Sequence, residues 1–205
     1  MAKEALKEST AGDVREEIHS MCNSLIDMLK TGKEGFRLQS IELLKQAEKK
    51  ARDVHLKEKE LTAWIVDRVS KEEDSGELSA LAFVPGHLER IGDSVEDVLS
   101  CIRTMLKEGT LFTDRARGEV NTLFEKSIEL LECVRDILHS RNKVLIRHVR
   151  EEGEKLHRLS RGYALAHEER LIQGLCMPKA SSVFLAFLDS FTEIERHTRQ
   201  IVDRL

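Results

Sequence analysis

Apolar residues recur at intervals of three and four along six segments of the chain, the spacing that places side chains on one face of an α-helix. The first segment ends at Thr31-Gly32-Lys33, and the second and third span about 38–69 and 77–107, with a charged break at 71–76. The third ends at Gly109, and a polar connection over 113–118 leads to the fourth, which ends near Leu138. The fifth and sixth span about 144–171 and 181–205. The pattern predicts an all-α bundle of six long antiparallel helices.

The apolar pattern of the first segment restarts in the fourth. Val14, Ile18, Leu25 and Met28 fall on Val120, Phe124, Leu131 and Val134 when 106 is added to each number, and the same shift carries Glu89-Arg90 onto Glu195-Arg196. This restart predicts two tandem three-helix repeats, over 1–110 and 111–205, that share a core in one compact domain. Two glycines in the fifth segment, Gly153 and Gly162, each cost about 1 kcal/mol relative to alanine within a helix and make this segment the least regular.

Composition and charge narrow the class of protein. The chain of 205 residues is 40% hydrophobic, 4% aromatic and 34% charged, which suits a folded helical domain rather than a disordered one. Its net charge of −4 has the wrong sign for a nucleic-acid partner. No apolar run approaches the roughly 18 residues of a membrane span, and the first ten residues do not resemble a secretion signal, so a cytoplasmic location is expected.

The cysteines and short motifs offer no catalytic or zinc-binding pattern. Cys22, Cys101, Cys133 and Cys176 are widely spaced, which favours reduced thiols within helices. No phosphate-binding glycine loop, dinucleotide-binding turn or serine-esterase motif is present, so an enzyme is not predicted.

An acidic row occupies the third segment. Glu89, Asp93 and Asp97 are spaced four residues apart, on the helix face opposite the apolar stripe. A solvated helix surface explains this row without any function. The alternative is a site for a hard cation, because a bound cation relieves the repulsion among neighbouring carboxylates. Since a row on one helix cannot surround an ion, a second helix would have to supply further ligands.

The sixth segment carries a corresponding row, Glu195, Arg199 and Asp203. Here an arginine replaces the middle acid and can pair with Glu195 four residues earlier, which predicts a degraded second cation site. Among the histidines, His55 and His157 could add a metal ligand, although a surface histidine is the more common outcome.

One stretch resembles a known family. Pro85-Gly86-His87-Leu88-Glu89-Arg90-Ile91-Gly92-Asp93, followed by Val98, resembles the Leu-Glu-Arg-Ile-Gly-Asp signature of PhoU proteins, the regulators of bacterial phosphate uptake. A second set is similar to the PhoU-like cytosolic region of bacterial sodium/phosphate cotransporters and comprises His167, Glu169-Arg170-Leu171, Gly174, Cys176, Pro178, Ala180, Leu185, Leu188 and Ile194-Glu195-Arg196. The resemblance implies six helices in two repeats.

The resemblance also implies a function. PhoU-like proteins are cytosolic adaptors rather than enzymes, and they act on a phosphate transporter or permease and, in many bacteria, on a sensor kinase. They bind multinuclear metal clusters through acidic motifs. The positions that map onto these motifs are Glu89, Asp93, Asp97 (often Asn in the family) and Glu195, and the metal could be iron, Zn, Mn, Mg or Ca.

The partner motifs on the second and fifth segments depart from the family. Ala51 and His55 stand at the usual acidic positions of the second segment, where Glu58 is retained. Gly153 and His157 stand at those of the fifth segment, although a shift of the alignment by a few residues offers Glu151 and Glu154 instead. Two alternatives therefore stay open: a metal-dependent helical phosphohydrolase, and a helical scaffold that has lost its metal site. Residual apolar surface, including Phe83 and Phe187, would favour a homodimer.

Overall fold

The helices of the bundle follow the predicted segments closely. The computed structural model describes residues 11–70 and 75–205. Its helices are α1 (Ala11–Leu38), α2 (Ile41–Ser70), α3 (Ser75–Leu81), α4 (Val84–Glu108), α5 (Asp114–Ser140), α6 (Lys143–Ile172) and α7 (Pro178–Val202). Six of them are long, only α3 is short, and these residues contain no strand, which confirms the predicted all-α architecture of six long helices.

Helix α1 continues through Thr31-Gly32-Lys33, so the predicted end at Gly32 is wrong. A Cβ atom added at Gly32 would lie 2.8 Å from Cδ2 of Leu99 on α4. The glycine therefore allows α1 and α4 to pack closely, and the helix ends instead at Leu38, before Gln39 with its left-handed φ of 53°.

The polar connection predicted over 113–118 is also mostly helical. Helix α5 begins at Asp114, and the side chain of Thr113 caps it by accepting a hydrogen bond of 3.2 Å from the backbone N–H of Ala116. The polar residues mark the first turn of a helix because capping and acidic side chains are favoured there. Helix α4 does end before Gly109, as predicted.

The third predicted segment is split in two. Helix α3 ends at Leu81 and α4 begins at Val84, with Pro85 in the first turn, where its missing N–H leaves no helical hydrogen bond unmade. Most of the predicted charged break, residues 71–74, lies outside the described residues.

The two groups of three long helices interlock. The most extensive helix contact joins α4 to α7, and α1 also packs against α5, so the first and third long helices of each group meet across the bundle centre. Helices α2 and α6 flank this centre on either side. One continuous core results, in which Phe36 packs against Phe112, Phe124 and Phe187 with ring centres 5.8–6.3 Å apart.

Phe187 is fully buried in this core, so the prediction that it contributes to an exposed apolar stripe is wrong. Phe83, by contrast, is 52% exposed. None of the helices in the described part of the chain is long and apolar enough to span a bilayer.

The antiparallel course of the long helices gathers three connections at one end of the bundle, here called the turn end. They are the α1–α2, α4–α5 and α6–α7 turns. The ion pair between Glu108, at the end of α4, and Lys179, at the start of α7, spans this end at 3.4 Å.

Candidate functional site

The acidic row lies along the outer side of α4, on the side of α2. Asp93 and Asp97 are exposed, whereas the side chain of Glu89 is only 26% exposed because α2 lies beside it. The apolar face of the same helix, including Leu88, Ile91 and Val95, is completely buried. The row thus points away from the core, as its sequence spacing predicts.

Helix α2 supplies a histidine to this row. Nδ1 of His55 lies 2.8 Å from Oε1 of Glu89, within hydrogen-bond distance. A pocket of about 370 Å³ opens beside the pair, between α2 and α4. Its lining includes Ala51, His55, Glu89, Asp93 and Glu96. Burial and the neighbouring Asp93 raise the pKa of Glu96, so excess negative charge is concentrated at this pocket.

The second repeat contains a glutamate and a histidine that correspond to Glu89 and His55, but their surroundings differ. Glu195 on α7 is completely buried, and its Oε1 accepts a very short hydrogen bond from Nε of Arg199. Nδ1 of His157 on α6 lies 3.8 Å from Oε2 of Glu195, and this oxygen accepts no hydrogen bond from any described residue. Burial raises the pKa of Glu195 while Arg199 acts in the opposite direction. The predicted pairing of Glu195 with Arg199 is therefore present, inside the protein rather than on its surface.

Gly153 on α6 leaves space for the Glu195–Arg199 pair. A Cβ atom there would lie 2.8 Å from Cγ of Arg199 and 2.9 Å from Oε1 of Glu195. The glycine and the arginine are complementary, because the side chain of Arg199 occupies the space that a larger residue at 153 would fill.

These arrangements decide how well a metal would fit. In the second repeat the guanidinium of Arg199 already neutralises Glu195, which disfavours a cation there. In the first repeat His55 and Glu89 provide two potential ligands, with Asp93 at the edge of the same pocket. Within residues 11–70 and 75–205, no three His, Cys, Asp or Glu side chains are grouped closely enough to hold a metal ion. The residues as they stand therefore do not fit a multinuclear cluster.

Two histidines form a contact between α4 and α7. The sequence analysis did not predict this contact. Nδ1 of His87 on α4 lies 3.1 Å from Nδ1 of His197 on α7, with ring centres 5.3 Å apart. Burial, and then Arg196, lowers the pKa of His197 to about 4, and burial together with Arg204 lowers that of His87. The only sequence signal was that each histidine lies two residues from a motif glutamate.

A buried ion pair also escaped the sequence analysis. Both terminal nitrogens of Arg170 on α6 donate to Glu119 on α5, at 2.8 and 2.7 Å, and the two side chains are 8% and 7% exposed. Glu119 raises the pKa of Arg170 further. The pair fixes α6 against α5.

Comparisons with known proteins agree with this geometry. Residues 18–102 match the family model of the PhoU domain. The match covers most of α1, all of α2 and α3 and most of α4, including the acidic row. A comparison with the curated proteins finds no significant match.

Two solved structures share the fold over nearly the whole chain. PhoU from Pseudomonas aeruginosa is 18% identical, with a TM-score of 0.83 over 94% of this chain and 93% of that chain. The phosphate transport system regulatory protein PhoU from Streptococcus pneumoniae is 9% identical, with a TM-score of 0.83 over 95% of this chain and 92% of that chain. Residues 18–102 thus match the PhoU domain by sequence, and the chain shares the fold of these two PhoU structures over almost its entire length.

Proposed function

We propose that this protein regulates phosphate transport by docking on a membrane phosphate transporter. It does so on the cytosolic side, either as a free adaptor or as the PhoU-like part of a sodium/phosphate cotransporter. The observation that carries the proposal is the PhoU-domain match over residues 18–102, which includes the whole acidic row on α4. Two similar structures that bear the name PhoU, one of them titled a phosphate transport regulatory protein, support it through their fold.

The turn end offers a docking surface for such a partner. Exposed large apolar side chains gather at its three turns and are Leu38, Ile41, Leu111, Ile172, Leu175 and Met177. Ile172 is 87% exposed, and exposed apolar side chains gathered at one end of a molecule are typical of protein interfaces. The binding energy would come from burying these side chains against the cytosolic face of the transporter.

The docking proposal is tested by changing the turn end alone. A triple variant, Leu111→Ser, Ile172→Ser and Leu175→Ser, keeps the core intact and removes three of the exposed apolar groups. We expect it to lose co-purification with the phosphate permease and to alter phosphate uptake as a deletion does. Val144→Ser is the matched control, because Val144 is 62% exposed at the opposite end of the bundle. Unchanged uptake in the deletion strain itself would refute the proposal.

Metal binding at the acidic row is a separate part of the proposal. A divalent or trivalent cation would require the side chains of His55, Glu89, Asp93 and Asp97 to come closer together than they lie in this structure, where no three of the described side chains are grouped tightly enough to hold a metal ion. Hard oxygen ligands of this kind suit Mg²⁺, Ca²⁺, Mn²⁺ or iron. Elemental analysis of protein purified without chelator tests it. We expect Glu89→Gln to abolish retention of the metal and Glu195→Gln to leave it unchanged, since Arg199 neutralises Glu195. Absence of metal from the unaltered protein would favour a scaffold whose metal site has been lost.

We propose that regulation does not involve turnover of a phosphoester. The alternative, a helical phosphohydrolase, requires several carboxylates around an open metal position. A panel of phosphoesters assayed with Mn²⁺ or Mg²⁺ separates the two, because turnover that Asp93→Ala abolishes would establish the enzyme.

A further inference from the structure

A second pocket, of about 330 Å³, lies between α2, α4 and α7 and is here called the seam pocket because α4 and α7 belong to different repeats. The side chains that matter for its chemistry are Glu58, Phe83, His87, Glu89, Arg90 and His197. It adjoins the pocket of about 370 Å³ beside the His55–Glu89 pair, since Glu89 lines both pockets.

Two arginines at the seam pocket have no carboxylate partner among the described residues. Arg90 lies in its wall and is exposed. The guanidinium of Arg204 stacks over Phe83, 4.4 Å from the ring centre, and lies close enough to His87 to lower its pKa. Most other arginines around the bundle pair with a carboxylate, as Arg196 does with Glu193. Arg90 and Arg204 thus place two guanidinium groups, neither paired with a carboxylate of the described residues, beside one pocket. Guanidinium groups in this situation are suited to binding an anion.

The histidine pair adds a neutral donor to this site. Nη2 of Arg196 lies 2.8 Å from Nε2 of His197, and because a guanidinium only donates, that ring nitrogen must accept. The proton of neutral His197 is therefore on Nδ1, which donates to Nδ1 of His87 at 3.1 Å. His87 in turn carries its own proton on Nε2, where no described residue accepts it. The Nε2–H group of His87 is therefore left without an acceptor among the described residues.

The two carboxylates of the seam pocket already have donors. Glu58 accepts a hydrogen bond from Thr62 at 2.9 Å, and Glu89 is within 2.8 Å of His55. Each keeps a second oxygen, and such an oxygen accepts a proton from an anion that carries one. Phosphate near neutral pH carries an O–H, whereas sulfate does not, so an acidic group beside arginines selects phosphate over sulfate.

We propose that the seam pocket binds inorganic phosphate, held by Arg90, Arg204 and His87 and selected by the carboxylate of Glu58. Bound there, phosphate contacts α4 of the first repeat through Arg90 and His87, next to Glu89, and the turn that follows α7 of the second repeat through Arg204. This deepens the proposed function, because it places a phosphate sensor within the regulator.

Titration calorimetry of the full chain with inorganic phosphate tests the proposal. We expect Arg90→Gln and Arg204→Gln each to weaken phosphate binding about tenfold, the size of one lost charge-assisted hydrogen bond. Arg161→Gln is the matched control, because Arg161 is an exposed arginine on α6, away from the pocket, and should bind phosphate like the unaltered chain. Arg90 and Arg204 are exposed as well, so circular dichroism is expected to show that all three variants remain folded.

A comparison of sulfate binding with phosphate binding provides a second test. The unaltered chain is expected to bind sulfate more weakly than phosphate, and Glu58→Gln should raise sulfate affinity relative to phosphate because it removes the repelling charge. Absence of binding at millimolar phosphate, equal binding of sulfate, or full phosphate binding by both arginine variants would overturn the proposal. Phosphate binding that persists in a protein whose deletion leaves uptake unchanged would refute the proposed function while leaving the site intact.

Discussion

At the scale of single residues, Glu89 and Glu195 show how one motif position acquires two environments. Both are glutamates followed by arginine on the third long helix of a repeat, and both face a histidine from the second long helix. Glu89 stays partly exposed, while Glu195 is completely buried because Gly153 and Arg199 close around it. Burial makes Glu195 dependent on its arginine in a way that Glu89 is not.

Removal of that arginine is expected to be costly. In Arg199→Met the carboxylate of Glu195 remains buried without its partner, and we expect a loss of about 3 kcal/mol in the free energy of unfolding. The double variant with Glu195→Leu, which removes the stranded charge as well, should recover much of the loss. Urea denaturation at neutral pH measures both. A double variant no more stable than the single one would mean that packing, rather than charge, dominates at this site.

The histidine pair predicts a loss of stability in acid. Burial lowers the pKa of His197 to about 4, so the folded chain binds its proton less readily than the unfolded chain does. The stability that depends on neutral His197 is complete above its ordinary pKa of about 6.5 and is lost as the pH falls towards 4. From pH 7 to pH 5 we expect a loss on the order of 2 kcal/mol from this residue.

Variants isolate this contribution from the other titrating groups. Urea denaturation of His197→Gln should show a smaller loss between neutral and acid pH than the unaltered chain shows. Glu195 acts in the opposite direction: its raised pKa makes the folded chain bind protons more readily, so its contribution to stability falls as the pH rises. An equal pH dependence in His197→Gln and the unaltered chain would show that His197 has the same pKa in the folded chain as in the unfolded one.

At the scale of helices, the two glycines of α6 have opposite roles. A Cβ atom at Gly162 meets nothing within 4 Å, whereas one at Gly153 would come within 3.0 Å of Glu195 and Arg199. We expect Gly162→Ala to stabilise the protein by about 1 kcal/mol through helix propensity. Gly153→Ala should destabilise it by about 1–3 kcal/mol despite the same propensity gain, because the buried pair is displaced. Thermal unfolding of the two variants gives the comparison, and stabilisation by both would show that the pair can shift freely.

The same glycines show what sequence could predict of this fold. Apolar periodicity located the six long helices and placed the acidic row outside the core, because both depend on local spacing along one helix. It could not separate Gly153 from Gly162 or recognise Gly32 as a packing residue, because those roles depend on side chains of a distant helix. The burial of Glu195 and the His87–His197 contact could not be predicted from the sequence for the same reason.

At the scale of the whole molecule, the two groups of helices form one core rather than two. Phe36 and Leu99 come from the first repeat and Phe124 and Phe187 from the second, yet all four are buried in the same cluster. The seam between α4 and α7 is the most extensive helix contact of the bundle. A change at the seam is therefore expected to reach both repeats.

This shared core predicts that neither repeat folds alone. Chains covering 1–110 and 111–205 would each expose the apolar faces that now meet across α1–α5 and α4–α7, so each is expected to be largely unfolded or to aggregate. Co-expression of the two should restore a soluble complex with the helical content of the intact chain. Circular dichroism and size-exclusion chromatography test both statements. A stable, monomeric, helical first repeat would instead mean that the PhoU-domain match over 18–102 marks an independent unit, and that the seam is a docking interface between two domains.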